Sequence, residues 1–130
     1  MKVNGKDYRT VWMHDGLVSL IEQNCLPFEF KIYKSSKCVN TCSAIMSMKV
    51  RGAGAIGATA GFAMAQAFLE ADLEAEKDFF RYVKRAKKDI ETTRPTAQNL
   101  FYAVNRVFNY AKEAGLPGGV AVLEAQKIAD

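Results

Sequence analysis

From Ala53 to Leu69 the chain carries only Thr59 and Gln66 as clearly polar side chains, and alanine and glycine dominate the rest. A helix that is apolar on every side has two homes, a bilayer or the middle of a bundle of other helices. This run is at the short end for a bilayer, so the bundle is the better reading. A fold built around it needs helices on several sides. Gly57 and Gly61 have GxxxG spacing, which suits close approach between helices.

The residues leading into that helix, Met48 to Gly57, read MKVRGAGAIG. Small residues let a ligand approach the backbone. A helix start offers unpaired N–H groups and a partial positive charge. Arg51 adds a planar fork suited to phosphate, so the stretch reads as an anion site. Thr93-Arg94-Pro95-Thr96 repeats the device, with Pro95 suited to the first turn of a second helix. Two arginines at two helix starts predict one phosphate-bearing ligand held between them.

Around these motifs the pattern changes once. Tyr8–Met13 (YRTVWM) is rich in β-formers, His14-Asp15-Gly16 is a turn signal, and Leu17–Ile21 follows with more apolar residues. Phe28–Tyr33 (FEFKIY) alternates apolar and polar, as a half-buried strand does. From Ser35 the period becomes helical. Ser35 or Ser36 is the expected N-cap, and Cys38, Cys42, Ile45 and Met46 share one face of a helix ending near Met48. Further helices are expected over 53–70, over 72–90, from Pro95 or Thr96 to Ala114, and from Val120 onward. In the 72–90 helix, acids (Asp72, Glu74, Glu76) precede bases, which matches the helix dipole. Phe79, Phe80, Val83, Ala86 and Ile90 supply its buried face. Leu100, Val104, Val107, Phe108 and Ala111 form the next apolar stripe, with Gly115 as cap and Pro117-Gly118-Gly119 as a stop. The expected class is α+β, mainly α: a small three-stranded antiparallel sheet, then a bundle of about five helices. Residues 1–130 are read as a single domain, with 1–34 the sheet and 35–130 the bundle. The last helix has no stop signal at Asp130, which hints at a cut chain or a split gene.

Composition narrows the class. At 130 residues, 49% hydrophobic and 25% charged, the chain is an ordinary globular domain. A net charge of +4 permits anions without indicating nucleic acid. Three cysteines, Cys25, Cys38 and Cys42, are too few and too odd for a disulfide framework. A reducing, cytoplasmic setting is expected, and the N-terminus lacks the apolar run of a signal peptide.

Other candidates favour plain readings. Cys38 and Cys42 have a spacing a metal could use, but with one remote histidine, His14, they read as small buried hydrophobes. Arg81, Lys84, Arg85, Lys87 and Lys88 read as a solvated helix face rather than a nucleic-acid patch. His14 has no nucleophile near it. No Walker loop, paired CxxC or Ser–His–Asp set is present. No metal, cofactor, nucleic acid or membrane is expected.

Three motifs in order carry a family resemblance. MSMKVRGAGAIGATAGFAMAQAF resembles the M-x-V-R-G-A-P-A-I-G pattern of methylthioribose-1-phosphate isomerases. LIEQNCLP resembles their L-I-D-Q-x-x-L-P segment, and TTRPTAQNLFYAVNRV their R-P-T-A-x-N-L-x-x-A motif. Relatives in this group include ribose-1,5-bisphosphate isomerases and the regulatory subunits of translation initiation factor 2B. The resemblance implies an N-terminal domain of sheet plus bundle, followed in family members by a Rossmann-like C-terminal domain on the same or a second polypeptide. It implies an aldose–ketose isomerisation of methylthioribose 1-phosphate for methionine salvage, and a homo-oligomer. Arg51, Gly52 and Ala53 match substrate-binding positions of the first motif, and Arg94 matches a second substrate-binding arginine. The family's catalytic cysteine and aspartate lie in the C-terminal domain, so no residue here takes a catalytic role and this chain alone should be inactive. Gly54 stands where the family has proline, and Glu22 where it has aspartate. The alternative readings are a regulatory module of the initiation-factor type and a ribose-1,5-bisphosphate isomerase.

Overall fold

The computed structural model describes residues 2–3, 6–7, 10–22, 31–72 and 76–130. Two short strands, β1 (Lys2–Val3) and β2 (Lys6–Asp7), pair antiparallel. A separate three-stranded antiparallel sheet follows in the order β3 (Val11–His14), β4 (Leu17–Ile21), β5 (Ile32–Ser35). Asp15 and Gly16 join β3 to β4 with φ of 50° and 79°. That is the two-residue hairpin turn that Asp-Gly favours, because its twist matches that of the strands. Val18 faces Ser35 across β4 and β5, and Val18, Leu20 and Ile21 are fully buried. The expected strand residues Tyr8, Arg9 and Phe28–Phe30 lie outside the described residues, as do Gln23–Pro27 with Cys25, and Leu73–Ala75 with Glu74.

The helices are α1 (Cys38–Met46), α2 (Ala53–Ala71), α3 (Glu76–Thr93), α4 (Gln98–Ala111) and α5 (Pro117–Ala129). The α2 helix is the axis of the fold, touching the other four helices and strands β3 and β4. Its residues from Ile56 to Phe68 are all buried, including Thr59 and Gln66. An all-apolar helix thus finds its place at the centre of a bundle. Among the described residues no helix is long and apolar enough to cross a membrane. Gly57 and Gly61 face different neighbours: Gly57 meets Asn99 of α4, and Gly61 meets Ala125 and Ile128 of α5.

Gln66 ties the sheet to the bundle. Its amide Nε2 donates to the carbonyls of Gly16 (3.0 Å) and Ser35 (2.8 Å), while its Oε1 accepts from the Thr41 hydroxyl at 2.5 Å. A buried amide with its partners in place fixes orientation as well as position. The α4 stripe of Leu100, Val104, Val107, Phe108 and Ala111 is buried as expected.

Several expectations are corrected. Lys37, not Ser35 or Ser36, is the N-cap of α1, and no side chain of its own segment caps that helix. The Ser35 hydroxyl instead lies 2.8 Å from that of Thr41 and 2.8 Å from the Lys37 carbonyl. The capping acceptor comes from α2: Glu70 Oε2 takes the Cys38 N–H at 2.7 Å. Helix α1 ends at Met46 rather than Met48, and Asp72 caps the end of α2 rather than opening α3. Helix α3 runs on to Thr93, so the bases stop short of its last turn, and Phe80 is 43% exposed rather than buried. Helix α4 starts at Gln98 and ends at Ala111. Pro95 sits in a turn before it, closed by the Ala97 N–H donating to the Arg94 carbonyl at 3.0 Å. Proline's fixed φ suits the second position of such a turn as well as it suits a helix start. Pro117 does not block a helix but opens α5, from its first turn.

Candidate functional site: a cavity between two helix starts

Gly52 is the N-cap of α2, with φ 91° and ψ 137°. That positive φ is open to glycine and strained for any residue with a side chain. A Cβ there would meet nothing within 4 Å, so the backbone conformation alone requires glycine. The first turn of α2 holds no acidic residue, and Gly52 brings no side chain to cap it. The same is true of α4, whose N-cap is Ala97. Two helix starts with positive dipole ends, and with no capping side chain at the N-cap, are therefore present in one small domain.

They open onto one space. A cavity of about 470 Å³ is lined by Gly52, Ala53 and Ile56 of α2, by Arg94 and Thr96 of the α3–α4 turn, and by Ala97, Gln98 and Asn99 at the start of α4. Arg94 is half-buried. Its Nη1 is buried and has no hydrogen-bond partner among the described residues. A buried charged donor without an acceptor is costly, and such groups are rare outside functional sites. None of the other residues lining the cavity is acidic, and helix starts are favourable places for an anion.

Of the four residues singled out from sequence, Gly52, Ala53 and Arg94 line this cavity. Arg51 is exposed and is not among the lining residues. Sequence reasoning missed Thr96, Gln98 and Asn99, although all three sit in or beside the R-P-T-A-x-N motif and carry side chains able to hydrogen-bond. It also missed the link between the first two motifs: Lys49 Nζ lies 3.1 Å from Glu22 Oε1 and 5.5 Å from the centre of the Tyr33 ring. Glu22, in the aspartate position of the motif, thus braces the loop that leads into Arg51.

The remaining candidates sit elsewhere. His14 is exposed and its Nε2 lies 3.2 Å from Asp15 at the hairpin turn. Two of the five α3 bases pair within the helix, Arg81 with Asp78 at 4.0 Å and Lys87 with Glu91 at 2.8 Å. Cys38 and Cys42 are both buried, with sulfurs 4.0 Å apart. Among the described residues no group of three or more His, Cys, Asp or Glu converges as a metal site.

Residues 49–127 match the model of the Initiation factor 2 subunit family. The chain belongs to this family. It is 34% identical to the methylthioribose-1-phosphate isomerase of Pelotomaculum thermopropionicum over 122 residues, 90% of this chain and 34% of the relative. The crystal structure of 5-methylthioribose 1-phosphate isomerase from Pyrococcus horikoshii superposes with a TM-score of 0.86 at 39% identity, over 95% of this chain and 36% of that one. The translation initiation factor eIF-2B delta subunit from A. fulgidus superposes equally well, TM-score 0.86, at 29% identity over 94% and 36%. The chain therefore spans about a third of the length of the relatives it matches.

Proposed function

We propose that this domain is the substrate-binding wall of a sugar-phosphate aldose–ketose isomerase, with methylthioribose 1-phosphate as substrate. Arg94 carries the reading: its guanidinium holds a buried nitrogen with no acceptor among the described residues, and the residue lines a cavity at the starts of two helices whose N-caps bring no side-chain cap. A phosphate there would take charge-assisted hydrogen bonds from Arg94 and from the first amides of α2. Gly52 and Ala53 let it approach the backbone, and Arg51, next to Gly52 in the chain, adds positive charge at the rim. The identity to proteins named methylthioribose-1-phosphate isomerases favours that sugar over other phosphates.

Isomerisation moves a proton between adjacent sugar carbons, which needs an acid–base group beside them. No residue lining this cavity has that chemistry, so the group must come from elsewhere in the complete protein. The task of this domain is to fix the phosphate and hence the place of the reacting carbons. A Rossmann-like domain, on the same or a second polypeptide, is the proposed source of the acid–base pair, and the assembled protein is a homo-oligomer in the cytoplasm.

The test is calorimetric titration of methylthioribose 1-phosphate into the chain, with an activity assay alongside. Binding without turnover is expected. Arg94→Ala should weaken it by roughly 10–100-fold, the loss of one charge-assisted contact of about 1.5–3 kcal/mol. Adding the C-terminal two-thirds of a family isomerase should restore turnover. No affinity for this or any pentose phosphate, with or without that addition, would overturn the reading. The equal superposition on the initiation-factor subunit supports a second reading, a regulatory module. Capture of initiation-factor components by a chain with no sugar-phosphate affinity would favour it.

A further inference from the structure

A phosphate bound at Arg94 would fix where a sugar phosphate sits but not which way its sugar faces. The ester linkage is a single bond, and the sugar can turn about it. Aiming two reacting carbons at an acid–base group needs a second contact away from that axis. Apart from Arg94, the side chains with hydrogen-bonding groups on the cavity wall are those of Thr96, Gln98 and Asn99. All three are exposed to solvent, and none makes a side-chain hydrogen bond among the described residues.

Asn99 differs from the other two in how it is held. It is the second residue of α4. Its carbonyl oxygen lies 3.2 Å, and its Cβ 3.4 Å, from the place a β-carbon on Gly57 would take. Helix α2 therefore bears directly on the root of this side chain, and only χ1 and χ2 separate that root from the amide. Gln98 has a further torsion to immobilise. Thr96 belongs to the turn before the helix, and its hydroxyl is a single polar atom. The carboxamide of Asn99 sets an acceptor beside donors. Adjacent hydroxyls of a sugar present the same pairing. Asparagine is also a poorer helix former than alanine, and no hydrogen bond of its side chain within the described residues offsets that cost. We propose that Asn99 is the specificity-determining residue of this cavity: its amide takes adjacent hydroxyls of a phosphorylated sugar and fixes the turn of the sugar about its phosphate. This rests on the reading of Arg94 as the phosphate anchor. It makes the cavity selective for a phosphate ester with vicinal hydroxyls over one without them.

The experiment is calorimetric titration of the chain with two ligands, ribose 1-phosphate and cyclopentyl phosphate. The second keeps the five-membered ring size and the phosphate ester but has no hydroxyls. The parent should prefer ribose 1-phosphate by about threefold to tenfold, the worth of one neutral hydrogen bond or slightly more. Asn99→Ala should bind both ligands alike, at the affinity the parent has for cyclopentyl phosphate. That retained affinity also shows that the variant is folded and its anchor intact. Arg94→Ala should weaken both ligands by the same factor and keep the preference. A parent that binds both esters equally, an Asn99→Ala chain that keeps the preference, or one that loses affinity for both ligands in equal measure would each overturn the role of Asn99 and leave the phosphate anchor standing. A parent that binds neither ester would overturn the anchor, and the role of Asn99 with it.

Discussion

A β-carbon placed on Gly57 would lie 3.2 Å from the carbonyl oxygen of Asn99 and 3.4 Å from its Cβ. This contact sets how closely the first turns of α2 and α4 approach, and the candidate cavity lies between those turns. A methyl group needs a shift of a few tenths of an ångström, and the better helix propensity of alanine offsets part of its cost. An isopropyl group needs more. Gly57→Val should destabilise the fold by about 1–3 kcal/mol through overpacking and widen the gap between the helix starts. Urea unfolding with a phosphate titration separates the two effects. Phosphate affinity equal to the parent in Gly57→Val would show that helix spacing does not govern the site.

Arg94 should be a residue that costs stability for the sake of binding. Its buried, unpartnered nitrogen is a desolvation penalty in the free protein. Arg94→Ala should therefore raise the unliganded melting temperature by a few degrees, about 1 kcal/mol, while reducing the stabilisation that a given concentration of sugar phosphate confers. Calorimetric melting with and without ligand reads both. A variant that melts lower and is stabilised by ligand as much as the parent would contradict this account.

The readable parts of this fold are those where a single periodicity has one physical outcome. Ala53–Leu69 had to be surrounded, and from Ile56 to Phe68 it is. The stripe from Leu100 to Ala111 had to be buried, and it is. Asp15-Gly16 had to turn. The unreadable parts turn on contacts between distant segments. Ser35 and Ser36 have the local chemistry of an N-cap, but Glu70, 32 residues from Cys38, supplies the acceptor instead. Pro95 has one φ that serves a turn and a helix start alike, and the Ala97 N–H bond to the Arg94 carbonyl makes it a turn. In the site, the motifs named Gly52, Ala53 and Arg94 because local backbone chemistry and charge are visible in one dimension. That Arg94 and not Arg51 lines the cavity depends on how α3 delivers its C-terminal turn against α2, which no spacing rule encodes.

Gln66 should be the most sensitive polar residue in the core. It is 1% exposed and joins Thr41, Ser35 and Gly16. Gln66→Leu keeps the side-chain volume roughly similar but takes the amide donor from two carbonyls, while the Thr41 hydroxyl keeps the Lys37 carbonyl and the Ser35 hydroxyl. A loss of about 2–4 kcal/mol is expected from the unsatisfied groups. Urea denaturation measures it, and hydrogen exchange should show the β4–β5 sheet opening ahead of α2 in the variant. A change under about 0.5 kcal/mol, the range of ordinary surface substitutions, would mean the network is not coupled to folding.

Glu124 of α5 predicts how stability responds to acid. The residue is buried, which pushes its carboxyl pKa up, but Arg106 at 2.9 Å and Lys127 at 3.4 Å outweigh that and hold it below the ordinary carboxylate range. A carboxylate whose folded pKa is depressed stabilises the native state above its unfolded pKa of about 4.3. That contribution is lost as pH falls through the lower folded value, where the native state too takes up the proton. Glu124→Gln keeps the shape and removes the titration. At pH 7 it should unfold at lower urea than the parent. The two midpoints should converge as the pH drops below about 4. A gap that stays constant from pH 7 to pH 3 would assign the effect of the substitution to packing rather than to the α4–α5 ion pair.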